Sequence, residues 1–326
     1  MAEWLYEEGI GENRAILLED DAILEAAIEL PGGPRAGAVV AARLAKVLVP
    51  ARRGLATLDA GGEAIVEPLP PQVSEGAAVR VEIAREAIPE PGRAKLAKGR
   101  LSDAPLRAGP DLRERIGRPP AEAAHGPDRF EAAGWSELLE EAETGEIAFA
   151  GGALRMSLTP AMVLFDVDGA LPPPELAAAG AAAAARAIRR LGIAGSIGID
   201  LPTLSSREQR RAAAQALDAT LPQPFERTSV NGFGFLQLVR RRERPSIPEI
   251  VQGDPVSAAA RALLRRAERS QGSGERTIAA APRVVALLER ESAWLDELIR
   301  RIGAGVRLRA DPRLAISAGH VQSAFS

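Results

Sequence analysis

Asp166 and Asp168 stand two residues apart in the stretch LFDVDGALPPP, residues 164–174, directly after the apolar run AMVLF. On a strand, side chains at i and i+2 point to the same face, so both acids are presented together. A third acid, Asp200, ends a second short apolar run, SIGID. One helical segment separates the two runs. A β–α–β crossover between parallel strands brings both C-terminal ends to one rim of the sheet, which is where α/β sheets place their sites. Asp166, Asp168 and Asp200 are therefore expected to converge there. Three neighbouring carboxylates repel one another, and a hard cation removes that cost. Mg²⁺ prefers oxygen ligands and keeps several waters for chemistry. The competing reading makes the same acids solvated strand ends or helix N-caps.

The elements that must position these acids follow from periodicity and punctuation. Residues 13–30 read as two strands around an acidic turn at Glu19–Asp21. LPGGPRAG is a turn or linker. From Gly37 to about Arg100, short β-prone runs broken by Gly and Pro predict a small barrel. Residues 101–150 are rich in Pro, Gly and charge, with one helix predicted near GWSELLEEAET. Beyond Gly151, GGALRMSL and AMVLFDVDG read as paired strands. PELAAAGAAAAARAIRRL reads as a helix opened by prolines. GSIGIDL is a buried strand, and SSREQRRAAAQALDA is a helix capped by Ser205 or Ser206. RTSVNGFGFLQLVRR reads as one or two strands with a turn at Asn231–Gly232. The alternation predicts an α/β domain with its strands in one sheet. The tail reads as helices over 255–270 and 283–302, a mobile loop between them, and a strand at GVRLRADP. Four segments result: 1–36, 37–100, 101–150 and 151–326.

Composition narrows the chemistry. The 326 residues include no cysteine and two histidines, His125 and His320, which leaves out disulfides, thiolate nucleophiles and cysteine zinc sites. Isolated as they are, both histidines read as loop or surface residues. Net charge is −3, so no global basic field advertises nucleic acid. Aromatics make up 3%, so the cores must be aliphatic. No apolar run is long enough to span a bilayer, and the acidic N-terminus lacks the pattern of a signal peptide. A soluble, cytoplasmic protein is the expectation.

Two resemblances follow from the motifs. FDVDGAL resembles the first motif of haloacid-dehalogenase-type phosphatases, which would make Asp166 a nucleophile and Asp168 an acid/base. Ala170 stands where that family has Thr, and the motif lies in mid-chain. A broader resemblance rests on GGALRMSLTPAMVLFDVDG, AARAIRRLGIAGSIGIDL and RTSVNGFGFLQLVRRRERPSI, in that order and spacing, with RAILLEDDAILEAAIE at the start. These resemble the catalytic region of the ribonuclease E/G family. The resemblance touches most of the chain and is concentrated at 151–245.

The second resemblance implies a multidomain α+β and α/β fold. An OB-fold-like RNA-binding barrel would be inserted after two strands, followed by an α/β metal-dependent nuclease domain. It implies that Asp166 and Asp200 hold Mg²⁺ for cleavage of single-stranded RNA, with Asp168, where the family has Asn, supporting the attacking water or serving as a third ligand. RNA would be gripped by Arg43, Lys46, Arg52, Arg53 and Lys98, joined by Lys95 and Arg100. Arg240 and Arg242 in the run Arg240–Arg244 would face the phosphate near the metal. Thr57 and Ile65 occupy positions where the family stacks bases, a contact worth roughly 1–3 kcal/mol per base. Phe233 and Phe235 are read first as core and second as a base platform; Asn231–Gly232 is read first as a turn. Several features depart from the family. Arg240 stands where a Glu is implied, and Thr159–Pro160 where Thr-Glu is usual. No cysteine pair follows RPSI, so a zinc-linked assembly is excluded while a homodimer through other surfaces stays open. The shortened 101–150 segment implies no sensing of a 5′-monophosphate. A catalytically impaired RNA-binding protein on the same scaffold is the alternative to a nuclease.

Overall fold

The computed structural model describes residues 1–92, 94–122 and 126–325; His125 lies outside them. Three strands open the chain as an antiparallel meander: β1 (Glu3–Glu8), β2 (Asn13–Glu19) and β3 (Ala22–Glu29). β2 and β3 are the expected pair. Their turn puts Asp20 and Asp21 at φ 49° and 62°, a left-handed region that Asp tolerates better than most residues. β1 adds a strand the sequence reading did not assign, so the barrel follows three strands and not two. Its charged ends hide a buried centre, Leu5, Tyr6 and Glu7.

β4 (Val39–Val49), β5 (Arg53–Leu58), β6 (Glu63–Val66), β7 (Ala78–Arg85) and β8 (Ala97–Leu101) close into a barrel in the order β4-β5-β6-β8-β7. β6 and β8 pair in parallel, and β7 returns to β4. This is compatible with an OB-like barrel. Its core is small and aliphatic, with Ala42, Leu58, Val66, Val81 and Ile83 inside. Strand alternation therefore turns Arg43 outward.

Three helices lead on: α1 (Leu112–Arg115), α2 (Arg129–Ala132) and the expected α3 (Trp135–Thr144). The large sheet then begins before residue 151, with β9 (Glu146–Phe149). β10 (Gly152–Leu158), β11 (Val163–Gly169), α4 (Pro173–Arg190), β12 (Gly195–Asp200), α5 (Arg207–Thr220), β13 (Glu226–Arg227) and β14 (Phe235–Arg240) complete it. The strand order is β13-β14-β12-β11-β10-β9. β11 and β12 are parallel across the α4 crossover; the other pairs are antiparallel. Ser206 caps α5, its side chain accepting from Gln209 N.

Small residues let α4 lie close on this sheet. Gly180 is buried, and a Cβ there would press into Val167 of β11. Gly180→Val should therefore cost about 1–3 kcal/mol by overpacking. Urea unfolding should show this as a lower midpoint at unchanged slope; an unchanged midpoint would mean that Val167 yields freely.

The tail contains α6 (Ile247–Gly253), α7 (Pro255–Arg269), β15 (Ser273–Ala280), α8 (Pro282–Arg290), α9 (Ser292–Ile302), β16 (Val306–Ala310) and β17 (His320–Phe325). β15 runs between β16 and β17, and α7, α8 and α9 bury Leu264, Leu288 and Leu298 in a second core. Two expectations change here. Much of the segment read as a mobile loop is strand β15, and the run 283–302 is two helices broken at Glu291. His320 is half-buried in β17, paired with Ala279. Among the described residues no helix is long and apolar enough to cross a membrane.

Candidate functional site

β11 alternates strictly: Val163, Phe165 and Val167 are buried, while Asp166 and Asp168 are exposed. The buried set packs into the main core with α4. The acids occupy the opposite face because a one-residue slip would bury them and expose that core. Pairing then builds a row across the sheet. Glu146 of β9 is the register partner of Arg155 of β10, Arg155 of Asp166, Asp166 of Asp200, and Asp200 of Phe235. Adjacent strands lie about 4.8 Å apart, so Asp166 and Asp200 are immediate neighbours, and both are exposed.

Asp168 belongs to the same face but sits one step further along β11, beside Arg155. The Arg155 Nη1–Asp168 Oδ2 separation is 3.5 Å, and Arg155 Nε lies 3.5 Å from Glu146 Oε1. Among the described residues no group of three or more His, Asp or Glu gathers at metal-binding spacing. The expected convergence of three acids is thus a pair, Asp166 and Asp200, with Asp168 directed to a guanidinium. Two exposed hard-oxygen ligands with open space around them suit an ion that keeps most of its water, as Mg²⁺ does. The face holds Glu146, Asp166, Asp168 and Asp200 against Arg155, an excess of negative charge that a cation would offset.

Arg155 is the site residue the sequence reading did not single out. The signal was present. The turn over residues 159–162 sets Leu158 opposite Val163, and counting back along the hairpin puts Arg155 opposite Asp166.

The loop before β14 borders the same row. Asn231 Oδ1 accepts from the backbone N–H of Phe233 at 2.9 Å and of Phe235 at 3.0 Å, so Asn231 holds the turn, as expected. Gly234, at φ 95°, takes the left-handed position, and a Cβ there would strike the Leu201 carbonyl. The aromatic pair is not core. Phe233 is 85% exposed. Phe235 is half-buried and lies over Gly198, where a Cβ would sit 2.5 Å from its ring.

The barrel cations form a second surface. Lys46, Leu55, Ile65 and Lys98 are successive register partners across β4, β5, β6 and β8, and Arg43 pairs with Thr57. Arg52, Arg53 and Lys98 converge on Glu67, at 3.4, 3.1 and 3.2 Å. Hydrogen bonds from Lys98 and Arg53 hold the Glu67 carboxyl below its usual range. Three cations thus share one carboxylate, next to the positions where bases are expected to stack. Arg43 instead donates to the Gly76 carbonyl at 2.6 Å. Lys95 leaves this group: its Nζ donates to the Pro160 carbonyl at 3.0 Å. Arg100 pairs with Glu82 at 2.9 Å.

Arg240 and Arg242 are not brought to the acids. On β14, Arg240 follows the buried Leu236 and Leu238 on the helix-covered face. Its partner is Gly195, at the opposite end of β12 from Asp200, roughly 17 Å away at ~3.4 Å per residue. Arg240 Nη1 donates to the Ile193 carbonyl at 3.2 Å, and burial pushes its pKa down. Arg242 pairs with Glu249, and Arg244 lies 3.5 Å from Glu86. These contacts fasten the barrel and α6 to the sheet. Neither a scan against protein-family models nor a search of curated proteins finds a match to this chain.

Proposed function

We propose that this chain is a Mg²⁺-dependent endoribonuclease of single-stranded RNA, a shortened relative of the ribonuclease E/G family. The observation that carries this reading is the Asp166–Asp200 pair, two exposed carboxylates set side by side by parallel pairing of β11 and β12. Mg²⁺ held there would supply charge neutralisation for the phosphodiester and an activated water. Asp166 and Asp200 hold the ion and lower the charge excess of the sheet face. Arg155 keeps Asp168 turned aside and leaves a positive group near the scissile phosphate, the part the sequence reading gave to Arg240 and Arg242. Phe233 offers a stacking platform at the end of the row. The barrel surface around Lys46, Arg53 and Lys98 binds the RNA backbone upstream or downstream of the cut.

Incubating an unstructured, A/U-rich RNA with Mg²⁺ and, separately, with EDTA tests the proposal. Internal cuts are expected only with Mg²⁺. Salt-sensitive binding without cuts would instead support the RNA-binding reading, which the Arg240 departure and the absence of a third carboxylate favour. A covalent phosphate on Asp166 after incubation with phosphatase substrates would replace both. On the nuclease reading, Phe233→Ala should weaken RNA binding by about 1–3 kcal/mol, read by fluorescence anisotropy. Unchanged affinity would remove Phe233 from the contact surface.

A further inference from the structure

The largest cleft lies away from the carboxylate row, between α3, α6, α7 and the β2–β3 strands, with a volume of about 690 Å³. One side is apolar, including Leu139, Ile250, Val251, Leu263 and Ile316. The other carries Arg14, Arg261, Arg265 and Arg269 with Trp135. Arg14 is 1% exposed, and Arg261 and Arg265 are also buried. Their carboxylate partners are fewer. Glu7 pairs with Arg14 and Arg269, Glu12 with Arg261 and Arg265, and Asp128 with Arg269 at 3.2 Å. Four guanidiniums therefore share three carboxylates.

The donors are also in excess. Trp135, 1% exposed, has an indole Nε1 with no hydrogen-bond partner, and so has Nη1 of Arg269. Buried donors are ordinarily satisfied, and an unmade bond there is costly. Burial and the neighbouring Arg265 both push the Arg14 pKa down, so an added anion would relieve that guanidinium. The rings hold the cations in place: the Arg14 guanidinium lies 4.2 Å from the Phe130 ring centre and 5.0 Å from that of Trp135. An apolar wall with a few convergent polar groups is the usual make-up of a small-molecule site.

We propose that this cleft binds a small organic anion, with an oxyanion head received by Trp135 and Arg269 and an apolar body along the Leu139–Ile250 wall. The head is a phosphate monoester or a carboxylate, and guanidinium forks accept either. The site stands apart from the proposed nuclease chemistry and does not depend on it.

The test uses the full chain. Its three tryptophans, Trp4, Trp135 and Trp294, each give one indole N–H signal in a ¹⁵N-correlated NMR spectrum, and Trp135→Phe assigns the one that matters. Titration with phenyl phosphate or phenylacetate should move the Trp135 signal saturably and leave that of Trp4 in place. The probe that moves it identifies the head. Inorganic phosphate should bind at least about tenfold more weakly, for want of the apolar body. Arg269→Met should weaken the better probe at least about tenfold, and where that variant misfolds the wild-type titration decides alone. A Trp135 signal unmoved by both probes up to about 10 mM would overturn the proposal and leave the arginines as structural ion pairs. So would affinity unchanged in a folded Arg269→Met variant.

Discussion

Replacing Glu12 by glutamine should lower the unfolding free energy by about 3–5 kcal/mol, the cost of removing one partner from a buried ion pair. Glu12 is 4% exposed. Its Oε2 accepts from Arg261 Nε at 2.9 Å, and its other oxygen meets Arg265. Glutamine keeps the shape but leaves two guanidiniums of α7 buried without their counter-charge. The same contact sets a pH dependence. Burial pushes the Glu12 carboxyl up, but Arg265 and Arg261 together hold it below its ordinary value. A carboxyl lower in the folded than in the unfolded chain stabilises fully above its unfolded pKa of about 4.3 and loses that contribution as pH falls towards the folded value. Urea midpoints of wild type and Glu12→Gln should differ widely at pH 7 and approach each other below about pH 4. A gap that is constant across that range, or one below about 1 kcal/mol at pH 7, would show that the pair contributes little.

The second large effect concerns the proposed chemistry. Asp166→Asn should reduce Mg²⁺-dependent RNA cleavage by more than about 10³-fold. Losing the ion removes both the activated water and the charge stabilisation, and a single hydrogen-bond donor to a transition state is already worth about 10²–10³. Asp200→Asn should match it, and the double variant should be little worse than either, because both acids serve one ion. Both residues are exposed, so the thermal midpoint should hold in every variant. Asp168→Asn loses only a solvent-exposed pair with Arg155 and should cost less than about fivefold. Cleavage by Asp166→Asn within about tenfold of wild type would place the activity elsewhere in the chain, or in a contaminant that the double variant would expose.

What was legible in the sequence was mostly local. The alternation of Val163, Phe165 and Val167 with Asp166 and Asp168 gave the face of the acids, and the α4 crossover gave their parallel pairing with β12. The outward turn of Arg43 followed the same period in β4. β1 was obscured because Glu7, an acid, is buried there by Arg14 and Arg269, which lie far away in the sequence. Arg240 was misplaced although the pattern Leu236–Leu238–Arg240 already put it on the core face. The antiparallel course of β14 then carries it away from Asp200. The arginine-lined cleft had no local signature, since its parts come from β2, α3 and α7 and meet only through long-range ion pairs.

The Glu12 contact also has a consequence in time. Arg265 follows Glu12 by 253 residues, which at about 5–20 residues per second of synthesis means roughly 13–50 s. Throughout that interval the first meander exists without the counter-charges its buried acid requires. The opening strands of a growing chain should therefore stay loose and susceptible to proteolysis until α7 has emerged, and the N-terminal segment, first made, should be among the last to settle.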